Sequence, residues 1–269
     1  MTPPTERYTH GHHESVLKSH SRRTIANSAA YLEPRLAAGL SVLDIGCGPG
    51  TITVEFAERV APGRVVGLDA AAEVVEKASA LGSERGCDNL EFVVGNAYEL
   101  PFEDGSFDIV HAHQTLQHVA RPVDVLREMR RVCAPGGVVA ARDVDYAGII
   151  VFPQSAGLDQ WMSLYQAVHR SNGGEPDAGR RLKAWAREAG FSEIASSASI
   201  WNFASDADRA WWGSMWEARV LQSAFASDAV GKSLASQDDL ETISAAWREW
   251  ADSSDGWLGM PHGEILCAP

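Results

Sequence analysis

The sequence predicts an α/β fold, and three observations carry that expectation. Short β-rich runs alternate with helical patterns from about residue 39 to 142. The first run ends in a glycine-rich loop that opens onto a helical pattern. The second ends in an acidic residue, Asp69, 21 residues after the loop's middle glycine, Gly48. Such alternation is the signature of a parallel sheet with crossover helices.

The strands expected in chain order are LSVLDIG, RVVGLD, LEFVVGN, FDIVHAH and GVVAARD. After the first, TITVEFAERV carries Ile52, Val54, Phe56 and Val60 in a partly helical apolar spacing. Residues 1–38 read as one or two helices that close over the site, 39–145 as the α/β core, and 146–269 as helical additions with the last strands of the same sheet. A late strand pair is expected around SIWNF and GEILCA. The whole reads as one domain. All nine tryptophans fall after residue 160, so the second half differs in task as well as texture.

Composition bounds the partners. The 269 residues, 45% of them hydrophobic, are enough to bury a full core. Basic residues number 23 against 36 acidic, a net charge of −13, which offers no general field for a phosphate backbone and argues against nucleic acid. Cys47, Cys87, Cys133 and Cys267 are scattered without a CxxC pair, as in a reducing compartment. No signal-like apolar segment and no run of 18 apolar residues occurs, so the expectation is a soluble, cytoplasmic protein that neither spans nor binds a membrane. His10, His12, His13 and His20 lack a carboxylate or cysteine at ligand spacing, and no metal is expected.

The stretch LDIGCGPGT sets Gly46, Gly48 and Gly50 at alternating positions behind the first strand. Glycines let a ligand lie against bare backbone, and the following helix start offers free N–H donors. An acid at the end of the second strand accepts from both ribose hydroxyls in dinucleotide-like folds, so a nucleoside is implied. Its rival reading is a simple helix cap for DAAAEVVEKA. The dinucleotide fingerprint would need glycine where this chain has Thr51. Asp44 at the strand end would disfavour a diphosphate, yet could orient the loop and, through water, the ammonium of a methionine moiety. S-adenosylmethionine therefore leads NAD.

With these residues in view, the chain resembles the class I S-adenosylmethionine-dependent methyltransferases of the group related to ubiquinone and menaquinone methyltransferases. VLDIGCGPG matches that family's first motif, GLD its ribose acid, GNAYELPFEDGSFDIVHAHQTLQHV its adenine loop and fourth strand, and LREMRRVCAPGGVVAARD its fifth-strand segment. The resemblance implies a Rossmann-like, mostly parallel seven-stranded sheet flanked by helices. It assigns Gly46 and Gly48 to the methionine and ribose side, Asp69 with Ala70 to the ribose, Asn96 and Ala97 to adenine, and Gln114 to the pocket beside the methionine end. Asn96 stands where the family usually has Asp, although an amide oxygen can still accept from the adenine amino group. Tyr8 and Arg23 are candidates for the methionine carboxylate, with Arg22 adjacent to the second. Cys47 reads as a small loop residue.

A sulfonium-borne methyl needs an aligned lone pair and exclusion of water more than a strong acid or base. Candidate bases are His113 at the end of the fourth strand, which shares a strand face with His111, and Asp143 or Asp145 after the fifth. His118 reads equally as a loop residue. The acceptor wall is expected from the later half, from Tyr146, Trp161, Tyr165, Trp211 and Trp212, with Trp201, Phe203 and Trp216 nearby, although aromatic residues at helical spacing also build cores.

A narrower similarity covers nearly the whole chain. YTHGHHESVLKSH, AHQTLQHV, EMRRVCAPGGVVAARD and NGGEPDAGRRLKAWAREAGF resemble the subgroup of fungal methyltransferases that cap the thiols of gliotoxin, with their bacterial relatives. That similarity implies S-methylation of a small molecule, a thiol or dithiol. O- or C-methylation of an aromatic, quinone-like metabolite and a non-catalytic S-adenosylmethionine-binding module are the alternatives.

Overall fold

The computed structural model describes residues 22–269; Tyr8 and the four early histidines lie outside the described residues. Five parallel strands open the sheet: β1 (Val42–Ile45), β2 (Val65–Asp69), β3 (Leu90–Val94), β4 (Phe107–His113) and β5 (Cys133–Val144). Helices α1 (Thr51–Val60), α2 (Ala72–Glu84) and α3 (Pro122–Val132) make crossovers. The strand order β3-β2-β1-β4-β5 reverses direction between β1 and β4, which leaves a crevice at the carboxyl ends of those strands.

Three later strands complete the sheet: β6 (Ile150–Phe152), β7 (Ile194–Phe203) and β8 (Trp257–Cys267). Instead of seven strands there are eight among the described residues. The cause is the length of β8. Its last residues, from His262 on, pair antiparallel with β5, which ends at Val144, and the uncovered edge at Trp257–Gly259 is taken by β6. Along its other edge β8 pairs with β7.

Alternation divides the sheet into two faces. One carries Leu43, Ile45, Leu68, Val110, Ala112, Val139 and Ala141, covered by α3 and by α5 (Leu182–Glu188). The other carries Val42, Val65, Ile109, Val138 and Ala140 beneath α1 and residues 25–32. Of the segment 1–38, where one or two lid helices are expected, the described residues make two short turns, a π turn at Ile25–Ala29 and a 3-10 turn at Glu33–Arg35. Thr24 caps the first and Pro34 sits in the second, while Ile25, Ala29 and Leu32 are pinned in the core.

Helices α4 (Ala156–Ser171), α6 (Asp206–Gln222), α7 (Ala224–Gly231) and α8 (Gln237–Asp252) build a cap with its own apolar centre. Trp161 meets Trp216 and Trp247 edge-on at 4.8 Å each, and Trp216 stacks on Trp247 at 5.9 Å. Edge-to-face and offset aromatic pairs of this kind add to the area they bury. Among the described residues no helix is long and apolar enough to cross a membrane. Trp247→Ala should therefore destabilise the protein by about 3–5 kcal/mol in urea denaturation, and Trp211→Ala, whose ring is only half-buried, by clearly less; equal losses would mean that the cap has no separate core.

Candidate functional site

A cavity of about 1120 Å³ opens at the carboxyl ends of β1, β2, β4 and β5. Its walls fall into three parts. The first is small and glycine-lined: Gly46, Gly48, Asp69, Ala70, Gly95 and Ala97. Gly46 has φ +68°, and a Cβ there would overlap Thr115 Oγ1, so the strand end admits no side chain. Gly48, at φ +55°, donates its N–H to Asp69 Oδ2 at 3.0 Å, while Asp69 Oδ1 accepts from Ala71 N at 3.1 Å. The following helix begins only at Ala72, so Asp69 is a loop-fixing carboxylate at the cavity wall rather than the helix N-cap. A carboxylate offers about four acceptor sites, which leaves capacity for ligand hydroxyls. A bare-backbone cradle ending in such a carboxylate fits an adenosyl group.

The second wall is a polar row, buried at His113, Arg142 and Glu264 and running out to the exposed Ser197. The pairing register sets His113 of β4 opposite Arg142 of β5, Arg142 opposite Glu264 of β8, and Glu264 opposite Ser197 of β7. Directly opposed residues share a face, so four polar side chains cross one face of the sheet in line. Arg142 Nε donates to Glu264 Oε1 at 3.2 Å and to Ser199 Oγ at 3.1 Å; Ser199 and Ser197 donate to Oε1 and Oε2 at 2.5 and 2.7 Å. Burial pulls Arg142 down to about 10, against the opposing pull of Glu264, so it remains cationic near neutral pH.

Gln114, just past β4, adopts φ +50°, a left-handed conformation costly for a non-glycine residue. It is held by three contacts. Its N–H donates to Arg142 O at 2.8 Å, its Oε1 accepts from Arg23 Nη2 at 2.5 Å, and its Nε2 lies 2.9 Å from His262 Nε2. His262 Nδ1 lies 3.0 Å from Met260 O, which fixes the proton on Nδ1 and leaves Nε2 to accept from Gln114. Burial and then Arg142 keep His262 neutral. The chain from Arg23 through Gln114 to His262 thus has one consistent direction of donation.

The third wall is aromatic: Tyr146, Trp201, Phe203, Trp211 and Trp212. Phe203 stacks on Trp212 at 4.2 Å. Trp201 Nε1 donates to Asn27 O at 2.6 Å and Arg22 lies over Trp211 at 4.3 Å, so the N-terminal segment spans the cavity and joins the cap.

Several expected residues sit elsewhere. Asp44 is buried under α1, with Oδ2 accepting from Thr53 Oγ1 at 2.6 Å and Oδ1 2.8 Å from His111 Nδ1; it fixes β1 to α1 and β4 and does not line the cavity. Asn96 is exposed and its Oδ1 accepts from Tyr98 N at 3.0 Å, while its neighbour Ala97 is in the wall. Asp143 follows Arg142 and so points to the opposite face, where Oδ1 accepts from Gln117 N at 3.2 Å; burial pushes its carboxyl up to about 7. Trp161 and Tyr165 belong to the cap's centre because positions 158, 161, 165 and 168 of α4 share its inward side. His113 does line the cavity, and burial, then Arg23 and Arg142, hold its imidazole well below the ordinary range. Cys47 is buried and burial, with Asp44 and Asp69, pushes its thiol up, as befits an inert loop residue.

Tyr31, Arg142, His262 and Glu264 are site residues that the sequence reading did not single out. A signal existed for two of them: His262 and Glu264 alternate in HGEILC, a polar face on an otherwise apolar strand.

A methyltransferase domain family matches residues 36–190. An uncharacterized methyltransferase of Schizosaccharomyces pombe is 35% identical over 99% of this chain and 98% of its own length. The demethylmenaquinone methyltransferase of Lactococcus lactis is 35% identical over 58% of this chain and 67% of its own. A solved S-adenosylmethionine-dependent methyltransferase from Aquifex aeolicus shares the fold with a TM-score of 0.52 at 20% identity, covering 67% of this chain and 89% of its own.

Two outcomes follow from this geometry. Asp69→Ala should weaken S-adenosylhomocysteine binding in calorimetry by about 10- to 100-fold, with Asp69→Asn recovering part of the loss; undiminished affinity would remove Asp69 from the site. For Asp143, an unfolded carboxyl ionises near pH 4, well below the folded value of about 7. The folded state therefore weakens as pH rises between those values and levels off above. Asp143→Asn should gain up to a few kcal/mol relative to the parent between about pH 4 and pH 8; parallel pH curves in denaturation would show that Asp143 does not titrate there.

Proposed function

We propose, for a chain that belongs to the class I S-adenosylmethionine-dependent methyltransferases, that the acceptor is a compact, apolar small molecule methylated on sulfur, a thiol or dithiol natural product. The carrying observation is one continuous cavity that joins the glycine-lined cradle to the aromatic wall. Bound there, S-adenosylmethionine supplies an electrophilic methyl group and leaves as S-adenosylhomocysteine.

Each wall has its task in this reading. Gly46, Gly48 and Ala70 leave room for the nucleoside and Asp69 accepts from its hydroxyls, with Ala97 against the base and Asn96 beside it. Arg23, oriented by Gln114, offers a guanidinium to the methionine carboxylate. Trp211, Trp212, Phe203 and Tyr146 hold the acceptor and exclude water, which favours orientation over acid–base work. His113 touches the acceptor as a neutral imidazole, since burial beside two guanidiniums makes it a poor proton acceptor. A thiol suits such a site because it ionises readily without a strong base. Asp143, on the other face, takes no part.

A second reading has its own support. The Lactococcus lactis relative acts, by its name, on demethylmenaquinone, and the stacked Phe203 and Trp212 would suit a flat ring, so O- or C-methylation of a quinone-like aromatic is the alternative. Calorimetric titration with S-adenosylmethionine, S-adenosylhomocysteine and NAD, followed by S-adenosylhomocysteine release on a dithiol and on a reduced quinone, separates the two. Binding of both adenosyl ligands but not NAD, with turnover on the dithiol, is the expected result. Turnover on the quinol alone would replace the thiol reading.

A further inference from the structure

The floor of the cavity carries polar atoms that the protein leaves unanswered. Arg142 is 1% exposed and its Nη1 has no hydrogen-bond partner; His113 is 4% exposed and neither ring nitrogen has one; the buried Tyr31 hydroxyl has none. All three residues line the cavity. A buried donor left unmade costs about 1–3 kcal/mol, so three together mark a place where a ligand supplies the missing partners.

The chemistry of that ligand follows from what is already taken. Glu264, the carboxylate of the row, accepts on Oε1 from Arg142 and Ser199 and on Oε2 from Ser197. What remains is a guanidinium N–H, a phenolic O–H and an imidazole N–H, three donors against the one lone pair of the neutral imidazole. Burial, the largest influence on Tyr31, raises its hydroxyl and keeps the proton on it, and His113 is held neutral with one N–H. The demand is for an acceptor atom. Among the described lining residues, Arg22, Arg23, Arg142 and Arg219 stand against Asp69, Asp208 and Glu264, so the local balance favours negative charge. The seat is also set apart from the ribose wall: Arg142 on β5 is three strand spacings, about 14 Å, from β2, and His113 on β4 two, about 10 Å.

We propose that Arg142 Nη1, Tyr31 OH and the His113 N–H form the seat of an ionised acceptor atom, so that the substrate class is a weakly acidic thiol or phenol bound as its anion. The proposal rests on the methyltransferase reading and narrows it. The acceptor's proton passes to solvent on binding, and an amine or an unactivated carbon acceptor gains nothing from the seat. Thiolate and phenolate share this chemistry, and the test carries both.

The test uses 4-nitrophenol and 4-nitrothiophenol, whose absorbance reports ionisation, titrated into the full-length protein with and without saturating S-adenosylhomocysteine. Bound probe should ionise about one pH unit or more below the free probe, and the probe with the larger shift identifies oxygen or sulfur as the preferred atom. Tyr31→Phe should take back roughly half a pH unit with S-adenosylhomocysteine affinity unchanged; it leaves the Arg142–Glu264 pair intact, so it does not depend on a fold that loses a buried ion pair. Arg142→Lys, which keeps the charge but loses the Nη1 donor, should reduce the shift. Probe bound in its neutral form, or no probe binding with or without the nucleoside, overturns the proposal. So does a matching loss of S-adenosylhomocysteine affinity in Tyr31→Phe, which would assign these atoms to the cofactor. Failure of the parent protein to bind S-adenosylhomocysteine is a separate result and counts against the methyltransferase reading, while the probe arm without nucleoside still decides the seat.

Discussion

The register between β4, β5, β8 and β7 is the constraint on which the site depends. It brings the buried His113, Arg142 and Glu264 into one line that ends at the exposed Ser197. A guanidinium and a carboxylate cannot be buried there singly: removing one partner of a buried pair is strongly destabilising, whereas replacing both by apolar groups is often tolerated. A slip of one residue between β5 and β8 would send Arg142 and Glu264 to opposite faces and leave both uncompensated.

The same row explains how the two ends of the cavity are coupled. Arg142 supplies its carbonyl to Gln114 N, and Gln114, in its left-handed conformation, bridges Arg23 to His262. The strained residue is over-determined by its neighbours, as strained residues at functional sites must be. Below it, Asp44 ties Thr53 of α1 to His111 of β4, so the glycine loop is held from the sheet side. Above it, Trp201 and Arg22 close the N-terminal segment against β7 and the cap.

The core strands, the glycine loop and its helix were legible because each is a local pattern: β-rich runs, alternating glycines, an apolar helix face. The place of Asp69 in the cavity wall was legible from spacing, and that of Ala97 from the family resemblance. Asp44 was read as a cofactor-side residue from its place at the strand end; its partners Thr53 and His111 come from other elements, so its burial was not legible. For Asp143, alternation in ARDVD already puts Arg142 and Asp143 on opposite faces; which face holds the cavity depends on where residues 22–36 and the cap lie. Trp161 and Tyr165 were drawn to the cavity by their type, yet helix spacing fixes only which residues share a side of α4, and not what that side meets.

The sequence by itself determined the α/β core and the glycine loop, which rest on short-range periodicity and on glycines that tolerate positive φ, and its family motifs pointed to the class of cofactor. Only the tertiary structure decided the eighth strand, the partners of Gln114 and the polar floor of Tyr31, His113, Arg142 and Glu264. Those residues come from segments as far apart as positions 31 and 264, and what brings them together is strand register and the closing of the last strand against β5, a long-range pairing that no local pattern encodes.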